Sequence, residues 1–260
     1  MTPEQNSYAG KKAFYDRVLT VYGRKPALEA LQDESLECHT LHLANSNKQA
    51  GIIVELQDRA ELRGVAVRRH SREALAHISR NGKQDQGVAL DIVCPAFQPL
   101  AHYLRDLPGQ PPRRLLALDG VSNPQNLGMI IRSAAAGGID GIVYARKSNA
   151  SLGPLVIKAS AGTVYRAPLL RCGALPEALA ACRDHGMEIC TLQADAPVSL
   201  FAHQAQGHCV FVLGNETAGV SPAVSGLADS ALAIPMSNGV ESLNVAVTAS
   251  LIAYARYLER

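Results

Sequence analysis

Between residues 19 and 93 the apolar positions change period several times, from the three-to-four spacing of a helix to the alternation of a strand. The spacing predicts helices over 25–31, 48–62 and 72–79 and strands over 40–44, 65–69 and 86–93, which together read as a small α/β unit over 19–93. The pattern then lapses. Pro95, Pro99, Pro108, Gly109, Pro111 and Pro112 interrupt the stretch to residue 114, so no regular buried element is expected there and a linker over 94–112 divides the chain. Beyond it, short apolar runs at 115–118, 141–145, 163–168, 188–192, 209–213 and 231–234 alternate with helical patterns. That alternation predicts a mostly parallel sheet covered on both faces, in a second unit over 113–260. Ligands of such sheets sit beyond the carboxyl ends of the strands, so the loops leaving those ends carry the functional reading. Residues 1–18, with Lys11, Lys12 and Arg17, show neither period and are expected to form a tail, disordered or lying along the surface.

Composition adjusts this picture in three places. At 260 residues and 47% hydrophobic, the chain has material for one large core or two modest ones, and its length leans towards two domains. The start is polar, and the longest low-charge run near the end, 243–255, is shorter than the ~20 residues a membrane helix needs and contains Thr248 and Ser250, so no membrane partner and a cytoplasmic location are expected. Six cysteines, Cys38, Cys94, Cys172, Cys182, Cys190 and Cys209, form no C-x-x-C pair, so neither a zinc site nor a disulfide framework is suggested and no metal is expected. Cys38, His39 and His42 sit in an apolar, strand-like run and read as packing residues. The net charge of +2 does not announce nucleic acid, but between 65 and 83 Arg68, Arg69, Arg72, Arg80 and Lys83 face a single acidic residue, Glu73.

Three loops after strands are unusual. The first, 119–126, ends at Asn126, placed to cap a helix that carries Gly128 and Arg132 at i and i+4. An internal glycine costs helix stability, which is easiest to understand if something approaches that face closely; the alternative is a glycine kept for packing beside a surface arginine. The second breaks a buried strand at Leu213-Gly214 into a polar loop with Glu216 and Gly219, without the Lys and Ser/Thr of a phosphate loop. The third runs from Ile234 and Met236 through a glycine turn to a helix whose first turn is expected at Ser242, Leu243 and Asn244, where free amides would suit a polar ligand edge. The helix beyond, 245–258, is small and apolar almost all round and calls for burial on more than one side, as at a subunit interface.

In order and spacing these three segments resemble the signature motifs of SpoU/TrmH-type methyltransferases of the SPOUT class. The resemblance covers 113–260 closely, and residues 22–93, from Tyr22-Gly-Arg-Lys-Pro-Ala-Leu to Asp85-Gln-Gly-Val-Ala, resemble the ribosomal-protein-like RNA-binding domain often fused ahead of that enzyme. The resemblance implies a parallel α/β sheet with a trefoil knot, a homodimer, and S-adenosylmethionine held by Leu213, Gly214, Ile234, Met236, Leu243 and Val245. It implies that Glu216 and Asn244 order the loops, that Ser242 and Asn244 face the reaction centre, and that Arg132 is the essential arginine beside Asn126. The implied reaction is 2′-O-ribose methylation of ribosomal or transfer RNA, with Arg68, Arg69, Arg72, Arg80 and Lys83 gripping the substrate. Two departures stand out: Ser133 where Thr is common after the arginine, and Gly23-Arg-Lys25 where the family's early pattern is Gly-x-His. Intact Asn126, Arg132, Glu216, Ser242 and Asn244 argue against an RNA-binding chain that kept the fold and lost catalysis, and the form of the first motif favours ribose over a base nitrogen. A nicotinamide oxidoreductase is remote, because no G-x-G-x-x-G follows the opening strand of either unit.

Overall fold

The computed structural model describes residues 8–257, with side chains from Gly10 onward. The beginning of the expected tail, and Leu258 at the end of the expected apolar helix, lie outside the described residues. The chain divides into two compact units, with the division between Pro95 and Ala96.

The first unit runs α1 (Tyr8–Tyr15), β1 (Val18–Tyr22), α2 (Arg24–Gln32), β2 (Glu37–Ala44), α3 (Ile52–Leu62), β3 (Ala66–His70), α4 (Arg72–Ser79) and β4 (Val88–Val93). Its sheet has the order β1-β4-β2-β3, with β4 antiparallel to both neighbours and β3 a parallel edge strand on β2. The tail expectation is corrected here. Residues 8–15 form a helix whose Phe14 ring packs on His39 with centroids 4.6 Å apart, and Val18 opens a strand. Helix α3 starts four residues later than the period suggests, because Gly51 takes φ +55 at its entry, a conformation that glycine adopts without strain.

The second unit runs β5 (Gln98–Pro99), α5 (Leu100–Arg105), β6 (Arg114–Leu118), α6 (Pro124–Ala136), β7 (Gly141–Ala145), α7 (Pro154–Ala159), β8 (Leu169–Cys172), α8 (Leu175–Asp184), β9 (Glu188–Leu192), β10 (Val198–Ser199), β11 (Cys209–Leu213), α9 (Pro222–Ser225), β12 (Ser230–Ala233) and α10 (Val245–Ala255). Its eight strands lie in the order β10-β12-β9-β11-β6-β7-β8-β5, and every ladder is parallel. The short runs β7 and β11 are buried at every position, as strands covered on both faces must be. Leu100, Leu104, Leu179 and Val224 of α5, α8 and α9 pack on Leu115, Ala117, Val143, Leu170, Val210 and Val212, forming the core on one face. Helices α7 and α10 both pack on α6 over the other face, where Arg114 Nη2 donates to the Ile252 carbonyl at 2.7 Å.

Two expectations about this unit fail for physical reasons. The proline-rich stretch is not a bare linker, because its prolines flank a helix instead of interrupting it: Leu100, Leu104 and Leu107 recur at helical spacing between Pro99 and Pro108, and all three are buried. The strand expected over 163–168 is a 3-10 turn at Thr163–Tyr165, entered through Ala161 and Gly162 at φ +48 and +75. Pro168 has no N–H for a ladder, so β8 begins just after it, at Leu169.

Candidate active site

Strand β6 lies beside β11 at the point where the chain reverses its direction of travel across the sheet, since β7 and β8 succeed on one side and β9 and β12 on the other. The crevice outside the carboxyl ends of the strands at such a point is where open α/β sheets bind ligands.

The loop after β6 is fastened to both neighbours. Asp119 Oδ2 accepts from Ser221 N at 2.7 Å, the Gly120 carbonyl accepts from Asn215 Nδ2 at 2.8 Å, and Val121 N donates to Asn149 Oδ1 at 2.8 Å. Buried Asn149 also donates to the Leu118 and Ala145 carbonyls at 3.0 and 2.9 Å. Tyr144, whose phenol is pushed up to about 12 by burial, donates to the Ala150 carbonyl at 2.7 Å and pins the same corner. Helix α6 then starts at Pro124, with Asn123 accepting from the amides of Gln125 and Asn126 at 2.8 and 3.2 Å. Asn126 is therefore not the cap. Its side chain, freed by this earlier start, points into the loops: Nδ2 donates to Glu216 Oε1 at 2.9 Å, and Oδ1 accepts from Asn244 Nδ2 at 3.2 Å.

The loop after β11 folds back on itself. Asn215 and Gly219 exchange backbone hydrogen bonds at 2.8 and 3.0 Å, and Asn215 Oδ1 accepts from the amides of Thr217 and Ala218 at 2.9 and 3.0 Å. A Cβ on Gly214 would stand 2.2 Å from the carbonyl carbon of Gly219, so the glycine is demanded by the turn itself. The loop after β12 is more open. Between residues 235 and 243 the backbone bond among the described residues is Val240 N to Ser237 O at 3.2 Å, which leaves a run of main-chain donors and acceptors for a ligand. Ile234 and Met236 are half-buried and Ser242 and Leu243 exposed. The first helical turn expected at Ser242–Asn244 is corrected: α10 begins at Val245, and Asn244 is its cap, accepting from Ala246 N at 2.8 Å.

The structure thus brings Asn126, Glu216 and Asn244 into one hydrogen-bonded chain, with Leu213, Gly214 and Val245 at its roots, while Ser242 stands two residues from Asn244. Arg132 is not drawn in. It is exposed and has no hydrogen bond or ion pair among the described residues. Six residues along a helix carry it about 9 Å up the axis and about 120° round from Asn126, onto the exposed stripe with Gln125, Met129 and Ala136. Gly128 does permit a close approach, but the visitor is α7: a Cβ there would meet Ala159 Cβ at 2.6 Å and the Val156 carbonyl oxygen at 2.7 Å. Asp119, Asn149 and Asn215 are fastening residues that sequence reasoning missed. Each is an Asp or Asn in the loop following an apolar run, a signal that was available.

In the first unit Arg68 and Arg69 are exposed on edge strand β3, and as successive strand residues they project to opposite faces. Arg72, Arg80 and Lys83 are exposed at the start of α4 and beyond its end, where Arg80 takes φ +56. The five basic residues are therefore spread over β3 and both ends of α4 and do not line one face of a single element.

Comparison with known proteins agrees with this organisation. The model of the SpoU rRNA Methylase family matches residues 113–254, and that described as RNA 2'-O ribose methyltransferase substrate binding matches 20–97. A tRNA/rRNA methyltransferase of Mycobacterium avium is 31% identical over 233 residues, 90% of this chain and 75% of the relative. One from Mycobacterium leprae is 33% identical over 243 residues, 91% of this chain and 76% of its own length. Among solved structures, the SpoU methyltransferase AviRb from Streptomyces viridochromogenes in complex with AdoMet aligns with a TM-score of 0.61 at 21% identity, over 96% of this chain and 92% of that one. The AdoMet-bound rRNA methyltransferase from Sinorhizobium meliloti aligns with a TM-score of 0.59 at 24% identity, covering 93% and 87%. These two likenesses are of fold.

Proposed function

The chain belongs to the SpoU rRNA methylase family, and from that premise we propose that it transfers a methyl group from S-adenosylmethionine to a ribose 2′-hydroxyl of ribosomal or transfer RNA. The observation that carries the reading is the union of three loops by Asn126, Glu216 and Asn244, residues that are 90 and 118 positions apart in the chain. The loops suit the donor: exposed main chain over 235–243 offers polar contacts, and Met236 and Leu243 offer apolar surface for the adenosine part beside Leu213, Gly214, Ile234 and Val245. Bound S-adenosylmethionine supplies a methyl already activated on a sulfonium.

The protein's own residues bind and align, and alignment of two reactants accounts for up to ~7–11 kcal/mol of a barrier in ideal cases. Asn126 is engaged at both ends of its carboxamide and acts by holding the second and third loops together, as Glu216 and Asn244 do. Ser242, exposed and without a side-chain partner among the described residues, is the group left to touch the ribose. Arg132 clamps an RNA phosphate with its planar fork and stabilises the developing alkoxide, while the hydroxyl proton leaves to water. A guanidinium holds its proton and is a poor base.

Because Arg132 is turned away from its own Asn126, the arginine that completes a site comes from a second copy, and the working unit is a homodimer. The exposed stripe of α6 with Met129, and Val247 and Tyr254 on α10, provide the apolar surface that such a contact covers. We read the return of α10 across the sheet to α6 as the threaded segment of the knot. The unit over 19–93 grips RNA through Arg68, Arg69, Arg72, Arg80 and Lys83, and an RNA substrate accords with a cytoplasmic location.

Ribose-methylation mapping of total RNA with and without the gene tests the reading. One ribose site should disappear; unchanged ribose with a lost base methyl would replace it with base methylation.

A further inference from the structure

Away from the three loops, one cluster of chemically capable side chains has no place in methyl transfer. Glu188 and Cys190 stand two apart on β9 and so project from the same face of the strand, and His203 reaches them from the segment that follows β10. His203 Nε2 lies 3.6 Å from Cys190 Sγ and 3.4 Å from Glu188 Oε2, and all three donor atoms fall within 4.8 Å of one another.

The arrangement is not a nucleophile's relay. In a Cys–His–carboxylate relay one ring nitrogen faces the thiol and the other the acid. Here the same nitrogen faces both, so three donors converge on a point. The spacing fits a tetrahedral ion: metal–sulfur bonds of about 2.3 Å and metal–nitrogen and metal–oxygen bonds of about 2.0–2.1 Å place sulfur about 3.6 Å from nitrogen and nitrogen about 3.4 Å from oxygen.

We propose that Glu188, Cys190 and His203 bind a divalent transition-metal ion of the zinc class, leaving its fourth position to water. Nitrogen, thiolate and carboxylate ligands in tetrahedral array select such an ion over magnesium or calcium. The outer contacts agree. Ser230 Oγ donates to Glu188 Oε1 at 2.6 Å and turns the other carboxylate oxygen inward, and Phe211 meets the His203 ring edge-on with centroids 6.4 Å apart. A cleft of about 130 Å³ bordered by Pro112, Leu200 and Phe211 reaches His203, one of the three ligands. Glu188 opens β9, so the ion lies toward the amino edge of the sheet, away from the loops at the carboxyl edge. Its work is to tie the segment after β10 to β9, and it requires nothing of the methyl-transfer reading. The sequence concealed it because the ligands come as a strand-borne Glu-x-Cys and a distant His, not as a C-x-x-C pair.

The test uses the full chain stripped of metal by chelator and titrated with cobalt(II). One ion per chain should bind, giving the visible absorption of tetrahedral cobalt with a thiolate charge-transfer band; zinc should displace it and raise the thermal midpoint. Cys190→Ser should abolish the charge-transfer band, and His203→Gln should weaken binding by more than about a hundred-fold. Should Cys190→Ser fail to fold, as judged by far-ultraviolet dichroism, Glu188→Gln serves in its place with the same expected loss of affinity. Wild-type protein that takes up no stoichiometric cobalt, or binding that these substitutions leave unchanged, overturns the proposal.

Discussion

Two glycines make opposite predictions. Gly128 faces the backbone of α7 and Gly214 faces the backbone of its own turn, so neither neighbour can yield as a flexible side-chain tip would. Gly128→Ala forces α6 and α7 apart and should cost about 1–3 kcal/mol, read as a lower denaturant midpoint, with donor affinity nearly kept once the protein is folded. Gly214→Ala should do the reverse: calorimetry should show at least a ten-fold loss of affinity for S-adenosylmethionine with a smaller change in midpoint. Arg132 is tested by its nearest relative. Arg132→Lys keeps the charge and loses the fork, so kcat should fall at least ten-fold while affinity for the donor stays the same; near-intact activity would sink the clamp. These three positions also mark what sequence could and could not say. The unusual glycine before an arginine was legible, but the identity of the group it admits was not, since a ligand and a crossing helix leave the same trace in the chain.

At the scale of elements, the four-stranded sheet carries a polar row that strand periodicity alone does not disclose. Thr20 donates to Asp91 Oδ1 at 2.6 Å, Asp91 Oδ2 meets His42 Nε2 at 3.1 Å, and His42 Nδ1 meets His70 Nε2 at 3.0 Å. Burial works against the Asp91 carboxylate, yet the hydrogen bonds from His42 and Thr20 and the charge of His42 outweigh it and hold its pKa below the ordinary value. His70 is also lowered, by burial and by the nearby charges of His42 and Arg68. Both signs point the same way. The unfolded chain takes up protons first at each group, so the stability each contributes is present above its unfolded value and is lost as pH falls, His70 from about 6.5 and Asp91 from about 4. Thermal midpoints measured from pH 7.5 to 5 should decline, and His70→Gln should flatten the upper part of that decline; a flat wild-type profile would contradict this. Element identity was legible wherever apolar runs were short and complete, as at β7, β9 and β11. It was lost where proline or a positive φ displaced a boundary, as at β8, α5 and α6, because hydrophobic period says which face is buried and not where a turn ends.

For the whole molecule, the exposed apolar side chains Met129 on α6 and Val247 and Tyr254 on α10, with the outward Arg132, make one prediction together. Sedimentation should find a dimer, and Val247→Glu with Tyr254→Glu should yield a folded monomer without activity. Mixing Arg132→Ala with Asn244→Ala protein should restore roughly a quarter of wild-type activity, because half of the dimers then hold one complete site built from both chains. No recovery would mean that each chain serves itself. Family membership was legible from the three motifs taken together, but the outward turn of Arg132 required the helix to be seen.

The tie between Asn126 and its partners also sets a clock. Its acceptor on Glu216 comes 90 residues later and its donor on Asn244 comes 118 residues later. At ~5–20 residues per second on the ribosome, the first loop waits roughly 6–24 s for its last companion to be synthesised. On the proposed reading a nascent chain that already carries Arg68 to Lys83 cannot yet transfer a methyl group, and a chain stopped ahead of α10 should show no methyltransferase activity, because it lacks the Asn244 end of the tie.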